Sequence, residues 1–125
     1  MREALARRGD IELDEINEDA YLPKHRARWL RGIHRLLGPQ YRRELGEAVL
    51  ARVARLQPDV VMTYKGNPID ASLLGRIKAC APHVLTVNVY PDYSPHAYGL
   101  RHREAVGAYD LVISTKPFHP AAWSL

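Results

Sequence analysis

With 125 residues, 46% of them apolar, and a formal net charge of +4, the chain can build one core and is small for a doubly wound α/β domain. No apolar run approaches the ~18 residues needed to span a membrane, and Met1 to Arg8 lacks the apolar stretch of a signal peptide, so a cytoplasmic protein without a transmembrane segment is expected. Its single cysteine, Cys80, excludes an intrachain disulfide and a cysteine-based zinc cage.

In chain order, Arg2 to Arg8 reads as the end of a helix closed by Gly9. Ile11, Leu13 and Ile16 suggest a short strand, interrupted at Glu15. From Lys24 to Leu37, Trp29, Ile33, Leu36 and Leu37 recur at helical spacing, and Gly38-Pro39 is expected to stop that helix. Leu45, Val49, Val53 and Leu56 mark the next helix, ended by Pro58. The run from Asp59 to Tyr64 then reads as a strand. Asn67 is placed to cap a third helix, with Pro68 at its first position, Asp70 in its first turn and Leu73, Leu74 and Ile77 buried. Val84 to Tyr90 is the next strand, Leu100 to Ala108 a weaker helix, and Asp110 to Ser114 the last strand.

Alternating helices and Val- and Ile-rich strands predict right-handed βαβ units: an open, parallel, Rossmann-like α/β sheet with helices on both faces. A Rossmann-like domain opens with a strand and a glycine-rich turn, and neither precedes the first helix here. That strand is central in such sheets, so its loss would leave two neighbouring strands with unpaired edges. The expected reading is a fragment, with residues 1–125 forming a partial domain. In open parallel sheets ligands bind outside the carboxyl ends of the strands. Lys65, Asp92 and Lys116 each follow one of the three strands closely.

Three segments in order also resemble a family. They are Pro58-Asp59-Val60-Val61 leading to Lys65-Gly66, Asn88-Val89-Tyr90-Pro91-Asp92, and Tyr109-Asp110 through Lys116-Pro117-Phe118. Gln57 to Trp123 is similar to the N-terminal domain of CgeB-like (spore maturation protein) glycosyltransferases, which have the two-domain GT-B fold. Leu36-Leu37-Gly38-Pro39 and Arg43-Glu44-Leu45 fit more loosely. The resemblance implies part of an enzyme that moves a sugar from a nucleotide-sugar donor to an acceptor hydroxyl, with this half on the acceptor side. The glycine-rich turn and the C-terminal donor-binding domain have no counterpart, so the isolated chain is expected to be inactive. The resemblance implies no protein-bound metal and no bound cofactor beyond the donor that the full enzyme would use.

Glycosyl transfer needs a base for the acceptor proton and cationic or dipolar groups for the leaving diphosphate. Asp92 suits the base, stiffened by Pro91, and equally suits a turn with Tyr93 and Ser94. His96 is a second candidate base, or an exposed loop residue. Lys65, with Gly66 allowing close backbone approach, could hold a phosphate or a sugar hydroxyl, or be merely solvated. Lys116 has the same two readings, with Thr115 as a hydroxyl partner, and Tyr90 completes the candidate substrate-binding set. Asn88 reads as a core amide that must find partners if buried.

Two other classes compete. Lys24-His25-Arg26-Ala27-Arg28 with Arg31, His34, Arg35, Arg42 and Arg43 could face polyanions, but a solvated helix face offset by Glu12 to Asp19 explains it more simply, so no nucleic-acid partner is expected. A phosphoacceptor receiver domain also ends a strand in Lys-Pro, yet Lys65 stands where its phosphorylated Asp would be. The main alternative is a non-catalytic α/β module that completes its sheet with a partner chain.

Overall fold

The computed structural model describes residues 9–21, 28–65, 69–91 and 100–114, the side chains of 19, 28–37 and 100–103 excepted. The helices are α1 (Arg28–Leu56), α2 (Ala71–Cys80) and α3 (Leu100–Ala108), and the strands are β1 (Val60–Tyr64), β2 (Leu85–Tyr90) and β3 (Leu111–Ser114). A single 3₁₀ turn, Glu18–Ala20, precedes them. The three strands form one parallel sheet in the order β1-β2-β3, so the α/β class expected from the alternation holds.

β2 pairs with β1 from Val60↔Leu85 to Tyr64↔Val89, and with β3 from Val87↔Leu111 to Tyr90↔Ser114. The described strands are therefore contiguous. No central gap separates two of them, as the expectation of a missing central strand required; the edges unpaired among the described residues are the outer ones of β1 and β3.

Right-handed crossovers that add strands in one direction put their helices on one face of the sheet. On that face Val61 and Val112 pack against a cluster built from Leu50 and Val53 of α1, Leu73, Leu74 and Ile77 of α2, and Ile69, Ala81, Val84 and Tyr109. Pleating sends alternate residues to the other face. There Val60, Met62, Tyr64, Leu85, Leu111 and Ile113 remain 42–58% exposed. The expected helices on both faces are thus replaced, among the described residues, by helices on one.

α1 runs through Gly38-Pro39 instead of stopping there. Inside a helix proline loses its N–H bond and crowds the carbonyl four residues back, at a cost of about 3 kcal/mol, which the burial of Leu45, Leu50 and Val53 further along α1 offsets. At its end Gln57 takes a left-handed φ of 45°. Its amide donates to Ala54 O (3.1 Å) and Cys80 O (3.2 Å), closing the carboxyl ends of α1 and α2 together. α2 is capped by Asp70, whose Oδ1 accepts from Leu73 N at 2.9 Å. The cap is therefore Asp70, expected inside the first turn, and not Asn67; Asn67 and Pro68 lie outside the described residues, as does the expected helix from Arg2 to Arg8.

Ile11 to Ile16 is no strand. Ile11 and Leu13 are exposed, and no described strand lies alongside to pair with them. The segment is held instead by Asp14, which pairs with Arg52 at 2.7 Å, while Arg52 also donates to Glu15 O at 2.9 Å. The acidic stretch thus does offset basic charge, but on the second half of α1.

The amino ends of the strands are joined by a polar latch. Thr86 donates through both its N–H and its hydroxyl to Asp110 Oδ2 at 2.7 Å. Asp110 N donates back to Thr86 Oγ1 at 3.1 Å. Lys78 pairs with the same carboxylate and donates to Val84 O at 2.7 Å, tying α2 to the sheet. Lys78, followed by the two Thr86 donors, holds the Asp110 carboxyl well below the usual carboxylate range. A depressed folded pKa contributes stability above the unfolded value of about 4 and loses it as pH falls further. Urea midpoints of the wild type should therefore fall steeply below about pH 4, and Asp110→Asn should flatten that limb. Parallel profiles for the two proteins would assign the acid limb to other groups.

Candidate functional site

β1, β2 and β3 end level with one another, because the register brings Tyr64 beside Val89 and Tyr90 beside Ser114. Lys65 extends the row: its N–H donates to Val89 O at 2.9 Å. Lys65, Tyr90 and Ser114 therefore stand side by side across the carboxyl edge of the sheet. Lys65 is half-buried and holds a φ of 67°, a left-handed conformation that costs a residue with a Cβ roughly 1–2 kcal/mol. Strain of this kind concentrates at functional sites. Tyr90 is fully buried.

Beneath this row, one pleat down on the helix-covered face, lies Asn88. It is 0% exposed, and among the described residues neither its Nδ2 nor its Oδ1 has a hydrogen-bond partner. The register sets it between Thr63 and Val112. Thr63 is already engaged: its hydroxyl and the Tyr109 phenol hydrogen-bond at 2.9 Å. Burial pushes the Tyr109 hydroxyl up to about 12, partly opposed by that bond, so it stays protonated at neutral pH. The expectation of a satisfied core amide at Asn88 is not met among the described residues, where the neighbouring polar groups serve one another.

Of the residues singled out from the sequence, Lys65 and Tyr90 are brought together at the edge. Asp92, His96, Gly66, Thr115 and Lys116 lie outside the described residues. Ser114 was not singled out; the signal available was its place as the last residue of the third strand. Orphaning of the Asn88 amide left no such signal, since it depends on what the neighbours across the ladder are bonded to.

Among the described residues no group of three or more His, Cys, Asp or Glu could hold a metal ion, and no described helix is long and apolar enough to cross a membrane. No family model, curated protein or solved structure matches the chain.

Proposed function

We propose that the carboxyl edge of the sheet binds a sugar, and that the chain is the acceptor-side part of a cytoplasmic GT-B glycosyltransferase with a Rossmann-like domain. The observation that carries the binding reading is the orphaned amide of Asn88, enclosed directly below the strand ends. A buried amide without partners costs about 1–3 kcal/mol, and such groups persist where a ligand or an ordered water supplies the missing bonds. A sugar hydroxyl both donates and accepts, and so satisfies both ends of this enclosed amide once the side chains covering it move aside on binding. Lys65 supplies a point charge for a hydroxyl or phosphate. By the family resemblance, Asp92 is the base that takes the acceptor proton, with His96 as the alternative base. Gly66, Thr115 and Lys116 complete the substrate contacts, with Tyr90, whose side chain is fully buried, lining the edge through its backbone. The donor is held by a separate domain, so the chain by itself transfers no sugar.

The left-handed backbone at Lys65 separates binding from stability. Lys65→Gly takes the same φ without a Cβ penalty, so its unfolding free energy should hold or rise by up to about 1 kcal/mol. Its affinity for sugar phosphates, measured by calorimetry, should fall about tenfold. Unchanged affinity would remove Lys65 from the site.

A second reading, a non-catalytic module completed by a partner chain, is favoured by the open apolar face of the sheet. The two readings separate on ligand binding: the module has no need of a sugar at the strand ends.

A further inference from the structure

All-parallel sheets are normally covered on both faces. Here the face opposite the helices presents Val60, Met62, Tyr64, Leu85, Leu111 and Ile113, all partly exposed and none charged, around Val87, which the register places at the middle of the same face and which is buried. Half-exposed side chains of these sizes amount to on the order of 500 Å² of contiguous apolar surface, at the upper end of what a monomer leaves open.

We infer that a second copy of this chain covers this face, sheet against sheet, in an isologous dimer. Two such faces together remove roughly 1,000 Å² from water, the lower bound for a specific interface. Self-association also requires a surface compatible with itself. A chain with net charge +4 repels its own copies wherever its basic surface meets, and the described residues of this face carry no charge. A two-fold axis perpendicular to the strands stacks β2 on β2, as in aligned sheet packing about 10 Å apart. It also sets the large Tyr64 over the small Val60 of the partner subunit, and Met62, midway along β1, over its own symmetry mate. The inference concerns the face away from the sugar site and does not rest on the glycosyl reading.

Sedimentation equilibrium of the 125-residue chain tests it. A reversible dimer dissociating in the range of about 1–100 micromolar is expected, as is usual for interfaces of this size without buried charge pairs. Met62→Glu should be monomeric with an unchanged far-ultraviolet spectrum. Should that variant fail to fold, Met62→Cys in a Cys80→Ser background provides the second measurement. A bismaleimide spanning about 8–10 Å, matched to the spacing of packed sheets, should join it into a covalent dimer, while Ser72→Cys, exposed on α2, should not join. A monomer at every concentration, whether the face stays open or another segment or protein covers it, overturns the inference. A dimer that Met62→Glu leaves intact overturns it equally.

Discussion

Ile77→Ala is expected to lower the unfolding free energy by about 3 kcal/mol, within the 2–5 kcal/mol range of such truncations. Ile77 is 1% exposed at the centre of the only buried cluster among the described residues that joins α1, α2 and the sheet. Its neighbours cannot close in easily. Leu74 shares its helix, Val53 is fixed on α1, and Val84 is held through its carbonyl by Lys78. The vacated volume therefore stays a cavity, and cavity terms add to the lost transfer energy. Domains of this size hold only 5–15 kcal/mol in all, so the thermal midpoint should drop by roughly 10 °C. The control is Leu56→Ala, at the exposed end of α1, which should change stability far less. A loss below about 1 kcal/mol at Ile77 would mean that α2 is not seated on the sheet as described.

The second large effect has the opposite sign. Asn88→Leu replaces an enclosed, unpartnered amide with an apolar side chain of similar size, and should raise the unfolding free energy by about 1–3 kcal/mol. The same change should abolish sugar binding, since leucine offers neither donor nor acceptor. Stability gained together with ligand lost is the signature of a polar group kept for binding at the expense of the fold. Denaturant midpoints with and without sugar would read both. If Asn88→Leu instead destabilises the protein, its amide is satisfied in solution by water or by residues outside the described segments, and the argument for a ligand there falls.

The elements that were legible in the sequence are those whose signal is local. Val60 to Tyr64, Leu85 to Tyr90 and Leu111 to Ser114 are strands as their Val, Ile and Tyr content indicates. Leu73, Leu74 and Ile77 form the buried face expected from their spacing. What failed depended on tertiary neighbours. Ile11 and Leu13 alternate as a strand does, yet without a partner the alternation leads nowhere and Arg52 decides where the segment lies. Pro39 carries a stop signal that the packing of α1 beyond it overrides. The contiguous strand order turns on pairing, and pairing between residues such as Val87 and Leu111 is not written in either run. At the site, Lys65 was found because it follows a strand directly. Asn88 was visible as a polar residue within an apolar run, but whether its amide finds a partner is a property of Thr63 and Tyr109.

The most direct test of sugar binding at the strand ends is a nitrogen-15 chemical-shift titration of the full chain. The probes are a panel of mono- and disaccharides, their phosphates, and uridine diphosphate glucose as a donor. Saturable shifts at the amides of Lys65, Tyr90 and Ser114 and at the side-chain amide of Asn88 are expected with at least one acceptor-type sugar, and no turnover of the donor. A flat response from those four residues across the panel, or hydrolysis or transfer of the donor by this chain unaided, would contradict an acceptor-side half built around that edge.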